Sequence, residues 1–192
     1  MTRTFDPARP LPTALVDELL DLSRRAPSAG FSQGVVFVAL SGDDAAMFWE
    51  VTGAGAWFAE HSPGVVDAPV IVLPLADQEV YTSRYSEADK AGHGLDNADN
   101  WPVPFWMIDA AMATQQLLLL AEDRGLGALF FGLSHGERAV LDRLGAPAGV
   151  RAIGVVALGY RAGSDRPSGS PTTRSRRPAS EVIGWGHWPA QV

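Results

Sequence analysis

Leu15, Val16, Leu19, Leu20 and Leu22 recur at spacings of three and four, with Asp17, Glu18 and Asp21 between them. This pattern predicts an amphipathic helix over residues 12–25. Pro12-Thr13 opens it, Arg24-Arg25 lies at its negative end, and Ala26-Pro27 terminates it. A polar, glycine-bearing loop from Ser28 to Gly34 leads into the β-branched run 35–40, which reads as a buried strand. Residues 43–60 read as helical, weakened by Gly53 and Gly55. A second buried strand, 68–75, is closed by Pro74. Residues 81–104 carry few apolar positions, and about 20 structureless residues in a small domain point to a functional loop. Over 105–124 the apolar positions leave almost no polar face, so that helix belongs in a core or an oligomer interface. Gly125-Leu126-Gly127 caps it, and 128–131 begins a short strand. Ser134-His135-Gly136-Glu137 has the form of a capping box for a helix through Leu144. Residues 150–160 are the third strong strand. A coil rich in Gly, Ser, Pro and Arg follows, then 179–183 and the aromatic end Trp185 and Trp188. The pattern shows no internal repeat and no second domain.

Composition narrows the function. A chain of 192 residues fits one domain, and 46% apolar with 19% charged residues excludes a disordered chain. The net charge of −7 argues against a nucleic-acid footprint. The absence of Cys removes disulfide scaffolds, thiolate nucleophiles, Cys-ligated zinc and iron–sulfur clusters. No apolar run follows Arg3 and Arg9 as a signal peptide requires, and the longest apolar stretch, 117–121, falls far short of the ~20 residues of a membrane span. The expectation is a soluble, cytoplasmic protein. Its His residues, at 61, 93, 135 and 187, lack metal-ligand spacing, so no metal site is expected. No Gly-x-Ser-x-Gly elbow occurs, and Gly125 and Gly127 lack the third glycine of a dinucleotide fingerprint. Arg161, Arg166, Arg174, Arg176 and Arg177 face a single nearby acid, Asp165. A positive end on an acidic chain suits a small anionic ligand; a solvated tail is the plainer alternative.

The ordered set of segments carries more than any one of them. The stretch from Arg24 to Gln33 lies between an amphipathic helix and a strand, an all-round apolar helix ends at Gly125-Leu126-Gly127-Ala128, and the strand ending Ala157-Leu158-Gly159-Tyr160 leads to Arg174-Ser175-Arg176-Arg177-Pro178. In that order they resemble the nitroreductase-like FMN flavoproteins, over nearly the whole chain. The family's first motif, Arg-x-Ser-x-Arg-x-Phe, matches in its last three positions, Arg3-Thr4-Phe5; its earlier Arg and Ser fall before Met1. Its Pro-Ser-x-x-Asn-x-Gln-Pro-Trp loop, which reaches the flavin across the dimer, matches at Pro27, Ser28 and Gln33. Phe31 stands where Asn is expected, and Gly34-Val35 replace Pro-Trp. The turn after the central helix and strand implicates the backbone of Phe131 and Gly132, and the closing cationic motif matches at Arg174 and Arg176.

The resemblance implies an α+β fold with a central mixed or antiparallel sheet surrounded by helices. It also implies a single domain spanning 1–192, an intertwined homodimer with FMN at the subunit interface, and residues 81–104 as a lid over it. The implied activity is hydride transfer from a reduced nicotinamide or deazaflavin to a nitroaromatic, quinone or enone. The partners are then a second copy, a small-molecule donor and a small-molecule acceptor, with neither nucleic acid nor membrane. The flavin does its own chemistry, so no catalytic side chain is expected. Two alternatives stay open: a flavin-storage protein without turnover, and a specialised flavin enzyme for dehydrogenation or flavin breakdown. Arg24 and Arg25 are either a helix C-terminal pair or a substitute for the missing cation. Trp101, Phe105 and Trp106 are core, dimer or pocket residues, and His93 and Arg84 are solvated. Phe31 packs on the flavin or the partner, or else folds back onto Trp57 or Trp106.

Overall fold

The computed structural model describes residues 1–167 and 169–189. The strands are β1 (Val35–Leu40), β2 (Val70–Asp77), β3 (Gly127–Phe131), β4 (Val150–Ala152) and β5 (Val155–Gly159). They form one sheet in the order β1-β2-β5-β3, with β4 continuing alongside β2, and every pairing is antiparallel. The seven helices among the described residues are α1 (Thr13–Ser23), α2 (Gly42–Thr52), α3 (Ala54–His61), α4 (Gln78–Ser86), α5 (Phe105–Asp123), α6 (Glu137–Arg143) and α7 (Ala179–Val182).

Alternation along the strands divides the core between two faces. Val70, Val72, Val156 and Leu158 meet Val16 and Leu19 of α1 and Leu117 and Ala121 of α5. Ile71, Leu73, Val155 and Ala157 face the other way, onto Phe48, Phe58, Val140 and Leu141 of α2, α3 and α6. Both faces are covered, so the strands read as continuous apolar runs. At the N-terminus, Phe5 bridges Arg161 and the Thr2 amide donates to Ala128 O at 2.9 Å, so this segment lies along the outer edge of β3.

Several boundaries differ from the sequence reading. The 43–60 helix is two, broken at Gly53, whose φ is 66°. The second strand continues through Pro74 instead of ending there. The Pro74 carbonyl accepts from Ile153 N–H at 3.1 Å, so the side where a proline lacks its donor faces the break between β4 and β5, and no ladder bond is lost. That break divides the single 150–160 strand. There Gly154 runs so close to Phe130 that a Cβ would sit 2.5 Å from its ring. The 81–104 section is irregular only after Ser86, where α4 ends; a short turn at Ala98–Asn100 interrupts it. Glu137 forms no capping box, since α6 begins after Gly136 without a side-chain cap. Its carboxylate instead takes two bonds from Arg151, at 2.8 and 3.0 Å, and one from the Ala152 amide at 2.9 Å, tying α6 to β4. No helix among the described residues is long and apolar enough to cross a membrane.

Candidate functional site

A cavity of about 370 Å³ opens where β3 ends, between Phe131-Gly132-Leu133-Ser134-His135 and the α2–α3 corner at Thr52, Gly53, Ala54, Trp57 and Phe58. Its wall is aromatic. Trp49 lies nearly parallel to Phe131 with ring centres 6.0 Å apart, and Phe58 meets Phe131 edge-on at 4.9 Å. Gly132 opens onto free space, with nothing within 4 Å of where a Cβ would stand. Among the described residues, the backbone N–H groups of Gly132, Leu133, Ser134 and His135 find no protein acceptor. A flat apolar slot beside a row of free donors suits a planar heteroaromatic ring with polar edges. Phe131 and Gly132, expected at the flavin, lie in this slot. His135 and Trp57 also line it and were not expected there; no spacing in the chain links the α2–α3 corner to β3.

The 27–33 loop lies at the other side of the sheet. It enters β1, which is one edge, while β3 is the opposite edge. Three interstrand spacings, roughly 14 Å in all, separate those edges within one chain. After Ser28 the chain makes a tight turn at Ala29–Phe31, with left-handed φ at Gly30, Phe31 and Gln33. Ser28 Oγ accepts from the Gln33 amide at 3.0 Å. Ser28 and Gln33 share a recess of about 80 Å³ with Arg24, Ala26, Val35 and Ala113. Arg24 and Arg25 both pair with Asp21 of their own helix and hold its carboxyl below the usual carboxylate range. Phe31 is 75% exposed and packs on neither Trp57 nor Trp106. Trp106 belongs instead to a cluster with Tyr81 and Trp101, which Tyr85 and Phe105 extend from the Trp101 side.

Arg84 is not the solvated residue that the sequence suggests. Its Nε donates to Gly30 O at 3.0 Å, and its other nitrogens bind Glu87 and Asp89. The buried group beneath the loop is Asp109 of α5, which accepts from Tyr81 OH at 2.7 Å and from the Ala29 amide at 2.8 Å. Its signal in the sequence is a lone acid on the stripe of Ala110, Ala113 and Leu117.

Arg3 lies at a third place, beside the start of the segment that carries Arg174 and Arg176. Asp165 Oδ1 accepts from the Arg3 and Thr4 amides at 3.0 Å each, and the Arg3 guanidinium lies beside Gly169. Arg174 and Arg176, both exposed, follow the turn at Ser170–Thr172. Arg3 therefore stands near the start of the Arg-rich segment, at the β3 end opposite Gly132.

The sequence profile of the Nitroreductase family matches residues 1–160. An Archaeoglobus fulgidus protein, whose name couples NADH dehydrogenase with NAD(P)H nitroreductase, is 28% identical over 109 residues. That match takes in 49% of this chain and 62% of the relative's length. Among solved structures, a nitroreductase-like protein from Streptococcus mutans superposes with a TM-score of 0.72 at 16% identity, covering 97% of this chain and 93% of that one. An oxidoreductase described as hypothetical, from Bacillus subtilis, also gives 0.72, at 19% identity over 99% and 71% of the two chains. At such identities these structures speak for the fold.

Proposed function

The chain belongs to the nitroreductase family, and on that premise we propose that it is an FMN-dependent oxidoreductase passing hydride from a reduced nicotinamide or deazaflavin to a nitroaromatic, quinone or enone-like acceptor. The observation that carries this reading is the aromatic slot with unpartnered N–H groups at one end of β3, while Arg3 and the Arg-rich segment stand towards the other. Phe131 and Gly132 would hold the flavin ring, with backbone donors facing its polar edge. Arg3, Arg174 and Arg176 would hold the phosphate, because guanidinium forks bind such oxygens in pairs. When bound, the flavin supplies the hydride chemistry itself, which is why no side-chain acid, base or nucleophile is required.

Pro27, Ser28, Phe31 and Gln33 sit too far across the sheet to join this slot in one chain, and they complete it from a second copy. Support for the homodimer comes from α5. Ile108, Met112 and Leu119, at i, i+4 and i+11, form an exposed apolar stripe along a helix whose other side is core. The irregular part of residues 81–104 is the lid of the same reading.

The visible spectrum of the purified protein tests the proposal. Flavin bands that bleach under anaerobic NADH, NADPH or reduced deazaflavin, and return on adding a quinone, are the expected result. Bound flavin that none of these donors reduces would favour the storage role. A colourless protein that does not take up FMN would overturn both.

A further inference from the structure

The 27–33 loop is held more tightly than a surface turn needs. Phe31 and Gln33 take left-handed φ of 57° and 58°, which side chains beyond glycine avoid. The Phe31 ring is nevertheless held away from its own chain's core, outward into open space. Such strain persists only where surrounding groups over-determine it. Arg84 restrains the turn from outside through Gly30 O, and Asp109 restrains it from beneath through the Ala29 amide.

Asp109 is 2% exposed in the middle of an apolar helix. Burying a carboxyl is costly without hydrogen bonds, and nothing in the packing of Ala110, Ala113 and Leu117 asks for one. Oδ2 accepts from Tyr81 OH and Ala29 N–H together. Burial, and next the bond to Asp109, push the Tyr81 phenol above its ordinary range, so it remains a donor. Trp101 and Trp106 pack edge-on around Tyr81 and fix its direction.

We propose that Asp109 is the positioning residue for acceptor selectivity: anchored on Tyr81, it locks the left-handed turn that presents the Phe31 ring to the flavin site of a second copy, where the ring limits which acceptors enter. The selectivity half rests on the oxidoreductase reading above; the anchoring half is a property of the single chain.

Four variants separate the two halves: Asp109→Leu, which fills the space without an acceptor; Asp109→Asn, which keeps one acceptor oxygen; Phe31→Ala; and Phe31→Ala with Asp109→Leu. Hydrogen exchange at the Ala29 amide is compared with β2 amides, and the kcat/KM ratio is measured for a compact and a bulky quinone. Asp109→Leu is expected to speed exchange at Ala29 at least tenfold while β2 stays protected, and to shift the quinone ratio in the same direction as Phe31→Ala. The double variant should shift it no further, and Asp109→Asn should recover most of both effects. If Asp109→Leu does not fold, Asp109→Ser replaces it. Unchanged exchange at Ala29 overturns the anchor. A quinone ratio that ignores either residue, or shifts that add in the double variant, overturns the selectivity role and leaves Asp109 no more than the anchor of the turn. A protein that retains no flavin overturns that role together with the functional reading, while exchange at Ala29 still decides the anchor.

Discussion

Arg174 and Arg176 are exposed side chains following a short turn, which is where a solvated tail and a phosphate grip look alike. Ligand affinity distinguishes them. A charge-assisted bond to phosphate contributes about 1.5–3 kcal/mol, so Arg174→Ala or Arg176→Ala should each weaken FMN binding by that amount in a fluorescence titration. Unchanged affinity in both would place the phosphate elsewhere. Asp89 offers a test that needs no ligand. The hydrogen bonds from Arg84 bring its carboxyl down to about 2 from the ordinary 3.8. A depressed carboxylate contributes stability that is present above pH 3.8 and is lost as pH falls through about 2. An NMR titration should therefore find the Asp89 midpoint near 2, and a midpoint near 4 would mean that the Arg84–Asp89 pair is open in solution. Arg84 itself shows why single residues are hard to read from sequence: Glu87 stands at the helical i+3 spacing, but Gly30 and Asp89 are brought to it by loops that no spacing announces.

Elements announce themselves where periodicity and punctuation agree. In α1 and α5 they do. The end of α5 is legible to within one residue, with Gly125 N–H on Glu122 O and Leu126 N–H on Ala121 O closing the helix as its glycine signals. The strands were legible as apolar runs because helices cover both faces of the sheet, yet their ends were not. Pro74 and Gly154 are breakers in isolation, and here each faces the other strand's irregularity, a fact about pairing that no single segment carries. The candidate site was legible in parts: Phe131, Gly132, the 27–33 loop and the cations stand at three separate places, and Asp109 went unseen because helix patterning counts a lone acid as noise. The α5 helix also makes a graded prediction. Leu117 is fully buried between α5 and the sheet, whereas Leu119 is 62% exposed two residues on. Leu117→Ala should cost about 2–5 kcal/mol in denaturant unfolding. Leu119→Ala should cost far less within one chain, and equal losses would mean that the helix is rotated from the face described.

At the scale of the molecule, the same stripe predicts assembly. Ile108, Met112 and Leu119 leave a contiguous apolar stripe of α5 in water, the kind of surface that marks an interaction site. The expected state is a dimer burying more than about 2,000 Å² in total. Light scattering should report two copies, and Leu119→Glu should shift it towards one; a wild-type monomer with FMN bound would refute this. The strand order has a consequence of another kind, for synthesis. β5 lies between β2 and β3, and its Val156 pairs with Val72 across nearly half of the chain. Until β5 leaves the ribosome, β2 and β3 both present open apolar edges with no neighbour to take them. Loop closure of that length is slow to repay its entropy, so the nascent chain must wait, exposed, for almost its whole length to be made. A fragment ending before Val155 should therefore give no cooperative unfolding transition and should collect with chaperones or in inclusion bodies. Recovery of that fragment as a cooperatively folded domain would show that the sheet can nucleate without its central strand.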